Sequence, residues 1–204
     1  MSKRKSFWSK IILESLMIIF SVFIALFINE WKNEKNEAKR TKLIVQNIKS
    51  EIQNNREILQ NIIQYHEEIM DRLSLPSNRE TIEEKFLKNG YFAIREIAPN
   101  GIIQEQFQNI AWTVAKEDKI TNRIHLNESQ VLFAVYEQQN VLKGTIKDIV
   151  SFLSSREVQR KELAHENVMV FRILMNELVG QEKVLETMCI NALEIIKKRE
   201  NKSA

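Results

Sequence analysis

Three histidines (His66, His125, His165), three aspartates (Asp71, Asp118, Asp148) and one cysteine (Cys189) are all the imidazole, aspartate and thiol this chain possesses. Metal hydrolysis by a zincin needs two histidines one helical turn apart. His66 and His165 are each followed by Glu, but Met70 and Met169 stand where the second ligand would be. Glu162, Leu163, Ala164 and His165 give one Glu-x-x-His spacing, which puts a carboxylate and an imidazole on one helix face as in di-iron bundles. Such a site needs the pattern on a second helix. Ile63 and Asn122 occupy the positions three before His66 and His125, so Glu162 and His165 are expected to be an exposed helical pair. Gly90, Gly101, Gly144 and Gly180 lie too far apart for a P-loop or a GxGxxG turn, so neither motif can cradle a phosphate. Cys189, on an apolar helical stretch, is expected to be a buried free thiol. No catalytic residue, cofactor or metal site emerges, and the expectation is a non-enzymatic protein.

The elements that would hold such residues are helical. Only four glycines and two prolines occur in 204 residues, so the turns of a many-stranded β fold are missing and an all-α class is expected. Lys3, Arg4, Lys5 and Lys10 less Glu14 account for the net charge of +3, which leaves residues 29–204 neutral overall. A body without excess positive charge lacks the footprint that holds a phosphate backbone, so nucleic acid is not expected as a partner.

Residues 11–28, IILESLMIIFSVFIALFI, contain 15 apolar residues in 18. At 1.5 Å per residue they reach about 27 Å, close to one hydrocarbon core. Trp8 and Trp31 bracket the run where amphipathic rings meet the two headgroup layers. With no small-residue cleavage site after it, the run is expected to be an uncleaved signal anchor, a transmembrane helix over 11–31 behind a basic cytoplasmic tail over 1–10. The acid-free leading tail places the amino terminus inside and the rest outside the cytoplasm of a cell bounded by a plasma (inner) membrane. Glu14 is one turn from the interface, where it can reach headgroups or pair with Lys10, so Trp8, Lys10, Glu14 and Trp31 are the expected membrane-interface residues.

From Glu34 to Leu73 there is neither Gly nor Pro, and Val45, Ile48, Ile52, Asn55, Leu59, Ile62, His66, Ile69 and Leu73 follow alternating steps of three and four. That spacing predicts a coiled-coil seam on a stalk helix over about 33–73, continuous with the anchor as a rod of up to about 90 Å. Asn55 and His66 on that seam are expected to fix register or accept one hydrogen bond. Short elements are expected over 80–120. Thr81 to Glu84 form a capping-box pattern for a helix ending near Gly90, residues 91–101 are a loop, edge strand or connection, and Ile103, Phe107, Ile110 and Val114 mark a further short helix beside Trp112. Asn127 is the expected N-cap of a helix over about 128–155, with Leu132, Val135, Gln139, Leu142, Ile146, Ile149 and Leu153 on its seam. A third long helix over about 157–199 uses Phe171, Leu174, Leu178, Gln181, Leu185, Met188, Ala192 and Ile195. Packed antiparallel, these helices form a bundle over 32–204, with Trp112, Phe107, Phe133, Tyr136, Phe152 and Phe171 in its core.

SVFIALFINEWKNEKNE at 21–37, IVQNIKSEIQNNREIL at 44–59, IIQYHEEIM at 62–70, AWTVAKEDKI at 111–120 and SQVLFAVYEQQ at 129–139 resemble a family of uncharacterised bacterial single-pass membrane proteins. Asn29, Glu30 and Trp31 match its membrane-exit signature, and Tyr65 and His66 a later tyrosine-histidine pair. The resemblance implies a retained span and one helical extramembrane domain; it implies no activity, cofactor or site residue. The functional expectation is a scaffold, or an oligomeric or partner-binding component of the cell envelope. Its partners would be the lipid bilayer and a second copy or another envelope protein, through seam residues Val45, Ile48, Ile52, Leu59, Ile62 and His66. The alternatives are a ligand-sensing bundle that signals through a partner and an oligomeric membrane effector or channel component.

Overall fold

Helix α1 runs unbroken from Ser2 to Arg72. No Gly or Pro interrupts that stretch, so nothing removes a backbone donor or releases the chain. In this computed structural model the backbone is described for residues 2–74, 79–102 and 107–202, and side chains for 13–74, 81–102 and 107–201. The expected 1–10 tail, with Trp8 and Lys10, lies outside the described side chains, as do Pro76 and Ile103. The protein is all-α and forms two compact units, Met1–Ile44 and Val45–Ala204.

In the first unit every large apolar side chain from Leu13 to Ile28 is exposed, by 42% to 74%. An 18-residue window of this helix has a mean hydropathy of 1.9 and no buried residue, so by length and composition the helix can cross a membrane. Ser21 turns its hydroxyl back onto the Met17 carbonyl, 2.8 Å away, which satisfies the polar group within the helix itself.

The second unit is a bundle of three long segments, α1 from Val45 onward, α5 (Leu126–Leu153) and α6 (Ala164–Lys202). Lys49 meets Glu200 and His66 meets Glu182, so α1 and α6 are antiparallel. Glu128 meets Arg199 and Thr145 meets Gln181, so α5 is antiparallel to α6 as well. Helices α1 and α5 therefore run in the same direction, and the chain between them must return along the bundle.

That return begins with α2 (Arg79–Phe86), followed by a two-residue hairpin of β1 (Leu87–Lys88) and β2 (Tyr91–Phe92). Thr81 falls inside α2 and does not cap its start, and the helix stops short of Gly90. Asn89 and Gly90 both take positive φ, 55° and 79°, the pair of left-handed residues whose twist matches that of a hairpin. One turn of helix, α3 (Ile94–Ile97), precedes the turn at Pro99 and Asn100.

Helix α4 (Ile110–Glu117) starts later than the spacing from Ile103 suggests, and Phe107 is buried ahead of it. Its buried face is Trp112 and Ala115, with Ile110 and Val114 exposed, because Trp112 stacks flat on Tyr136 at 5.0 Å and sets the rotation of the helix.

Helix α5 starts two residues before the expected site. His125 is the N-cap residue, and the Glu128 carboxylate accepts its N–H at 3.3 Å. Residues 157–163 form two short 3-10 turns rather than the first turns of α6; the Asn167 side chain donates to the Glu157 carbonyl at 2.9 Å and holds that tighter path.

All nine seam positions from Val45 to Leu73 are buried, none more than 7% exposed, and the seam closes within a single chain. On α6 the buried line is Phe171, Met175, Leu178, Glu182, Leu185, Cys189, Ala192 and Ile196. The expected Leu174, Gln181, Met188 and Ile195 flank it and are half-buried. Ile146, Phe152 and Leu153 are also half-buried, and Phe133 is exposed rather than in the core, because Leu132, Val135 and Tyr136 define the inward face of α5.

Candidate functional site

Residues 98–102 and 107–109, the described parts of the connection between α3 and α4, are irregular backbone, so they and the helix ends beside them have peptide groups that no helix or sheet partners. Polar side chains of α1 supply the partners, from Arg72 at one end to Glu51 at the other. Arg72 donates to the Ile97 carbonyl at 2.8 Å, and the Tyr65 hydroxyl accepts the Asn100 N–H at 3.1 Å. A nitrogen of His66, Nε2, faces the Ile102 carbonyl at 3.1 Å. Asn55 pairs with the backbone of Gln108 twice, giving an N–H to its carbonyl at 2.7 Å and accepting its N–H at 2.8 Å. Glu51 closes the ladder by accepting the Ala111 N–H at 2.8 Å, a longer bond from the Trp112 N–H, and the Tyr136 hydroxyl at 2.6 Å.

Glu51 is the anionic cap of α4, supplied from another helix. Asn109, the residue in the N-cap position, makes no side-chain cap bond, so the first N–H groups of α4 fall to the Glu51 carboxylate, whose charge also suits the positive end of the helix dipole. Burial, and then the hydrogen bond and charge of Glu51, push the Tyr136 hydroxyl above its ordinary range, with a smaller contribution from Cys189. Tyr136 therefore stays a donor. The Cys189 thiol is buried and pushed up to about 12, chiefly by that burial, with Arg56 pulling it down and Glu186 raising it. It is an inert thiol rather than a nucleophile.

On the opposite side of the ladder His66 Nδ1 lies 2.8 Å from Glu182 Oε1, both side chains essentially inaccessible. Glu182 Oε2 is buried with no hydrogen-bond partner. A groove of about 310 Å³ opens beside Ile102, lined by Ile94, Gly101, Val150, Leu153 and Ser154.

Of the expected seam residues, Val45, Ile48, Ile52, Leu59, Ile62 and His66 share the core of the second unit. Glu14 and Trp31 are exposed on α1, with the Lys35 ammonium 4.1 Å from the Trp31 ring. His165 faces Glu83 of α2 at 2.8 Å. Among the described residues no group of three His, Cys, Asp or Glu side chains could hold a metal ion. Glu51, Arg72 and Glu182 carry much of the polar network without being singled out in the sequence, and Tyr65 and Tyr136, singled out there on other grounds, join it through their hydroxyls. The one available signal was a charged residue recurring at a buried register of an otherwise apolar seam, as Glu182 does on α6. The arrangement fastens backbone and joins helices; its carboxylates and imidazole are engaged with one another and with peptide groups. No protein-family model, curated protein sequence or solved structure matches this chain.

Proposed function

We propose that this is a non-enzymatic, membrane-anchored helical protein, a scaffold or an oligomeric or partner-binding component of the cell envelope. The observation that carries the reading is the contrast within α1. Its apolar side chains from Leu13 to Ile28 are exposed, whereas from Val45 onward the same helix is the spine of a core that one chain closes. Exposing that many large apolar groups to water would cost about 25 cal/mol per Å², and lipid removes the cost. The amino terminus lies in the cytoplasm of this reading and the bundle outside it. Because the Ile48 and Ile52 seam is filled from within, a second copy or partner would be met through the anchor or the outer faces of the bundle.

Mass measurement of the detergent-solubilised full chain beside an Asn33–Ala204 fragment, with co-purifying proteins identified, tests this. A defined oligomer or stoichiometric partner is expected for the full chain, and two lone monomers would count against it. A second reading, ligand sensing by the bundle, rests on the groove beside Ile102. Its size matches the small end of ligand pockets, and lone monomers would bring it forward.

A further inference from the structure

Two asparagines of this chain precede a glycine, in Asn89-Gly90 and Asn100-Gly101. In such a pair the glycine nitrogen can attack the side-chain carbonyl carbon of the asparagine, because no Cβ on the glycine stands in the way. The bond from that nitrogen to Cγ forms and the Cγ–Nδ2 bond breaks. Ammonia leaves, and the proton lost by the glycine N–H goes with it by way of solvent. Water then opens the cyclic imide, at Cγ to give aspartate or at the backbone carbonyl to give isoaspartate. Both asparagine side chains are exposed, so what separates the two pairs is the state of the glycine nitrogen.

At Asn100 that nitrogen is engaged. The Gly101 N–H donates to the Ala98 carbonyl at 3.1 Å, closing the turn over Pro99 and Asn100, and the Tyr65 hydroxyl accepts the Asn100 N–H. Turning the Asn100–Gly101 peptide toward its own side chain breaks the first of these bonds. At Asn89, among the described residues, no backbone carbonyl takes the Gly90 N–H and no backbone N–H meets the Asn89 carbonyl. The strand pairs lie outside this peptide, at Lys88 with Tyr91 and Leu87 with Phe92, so it can rotate without loss of a ladder bond. Positive φ at both residues makes this a type I′ turn. Rotating the central peptide gives type II′, which keeps φ positive at the first central residue and reverses it at the second. Glycine takes either sign, so Gly90 permits the change.

We infer that Asn89 is a site of self-modification, at which the chain forms a succinimide and then aspartate or isoaspartate, and that the fold shields Asn100 from the same reaction. The inference is independent of membrane anchoring. Its product bears on the bundle, because the hairpin sets Phe92 against Phe171 of α6 with ring centroids 5.5 Å apart. Isoaspartate routes the backbone through the former side chain and adds an atom to a two-residue turn. The pairing of Lys88 with Tyr91 and of Leu87 with Phe92 then no longer closes over it in the same register.

Incubation of the full chain in detergent at pH 8, followed by mass spectrometry of the peptides that carry each pair, with isoaspartate separated from aspartate by chromatography, reads this directly. In the folded protein Asn89 is expected to convert at least about tenfold faster than Asn100, where the bonds of Gly101 and Asn100 must open first. In urea those bonds are gone and the difference is expected to collapse. Asn89→Gln, which would have to close a larger ring, is expected to abolish conversion at that position and to leave the slow rate at Asn100 unchanged. Conversion of Asn100 as fast as Asn89 in the folded chain, the same ratio of rates in urea as in the folded chain, or a folded chain in which Asn89 stays intact would overturn the assignment.

Discussion

Two stretches of helix α1 are alike in lacking Gly and Pro and have opposite relations to their surroundings. Residues 13–28 are apolar on every face and exposed on every face, and residues 45–73 are apolar on one stripe and bury that stripe completely. All-round hydrophobicity suits a solvent that is itself apolar, while a stripe at steps of three and four suits a neighbouring helix. The comparison teaches that the helix is defined by the absence of breakers, and its environment by how the apolar residues are distributed around it.

The contrast is broken most severely inside the seam. Ile52→Asp, at a position with no exposure, places an uncompensated carboxylate in the core and is expected to cost more than about 4 kcal/mol. Loss of the cooperative helical melt of an Asn33–Ala204 fragment by circular dichroism is the readout. Phe20→Lys should do the reverse. It raises the cost of membrane insertion by about 3 kcal/mol while leaving the melt of the second unit unchanged, as membrane fractionation beside calorimetry would show.

Glu51→Ala strips the cap from α4 and leaves the Tyr136 hydroxyl and the Ala111 N–H without their acceptor, an expected loss of about 2–3 kcal/mol in denaturant unfolding. Lys49→Ala removes a half-exposed ion pair with Glu200 and should cost less than about 1 kcal/mol on the same assay.

Cys189 sharpens the comparison without a stability change near neutrality. Folding raises its thiol to about 12, so the unfolded chain loses this proton first. The contribution is fully present below the ordinary thiol value of about 8.5 and is lost as pH rises toward about 12. Alkylation at pH 8 should accordingly be slow in the folded protein and rapid in urea.

The helical class and the α1 seam were legible because each rests on local chemistry, the lack of breakers and a strict spacing over four heptads. The α6 seam was legible only to within one position. Apolar spacing alone favours Leu174, Gln181, Met188 and Ile195 over the line through Glu182, since a buried carboxylate is acceptable only with a partner, and that partner is His66, 116 residues away. The path of the connection was not legible for the same reason. Its backbone is satisfied by Glu51, Asn55, Tyr65, His66 and Arg72, side chains whose spacing on α1 acquires meaning only when the return strand of chain is laid beside them. The hairpin is a different case, for Asn89-Gly90 is a local turn signal between Leu87–Lys88 and Tyr91–Phe92, overshadowed by the helical pattern before it.

The central proposal is that residues 11–31 belong to lipid and those from Val45 onward to a self-contained bundle. Alkaline carbonate extraction of membranes bearing the full chain or the Asn33–Ala204 fragment tests it most directly. The account predicts that the full chain stays with the bilayer and that the fragment is released as a helical protein with a cooperative melt. Release of the full chain, or retention of the fragment, would contradict it.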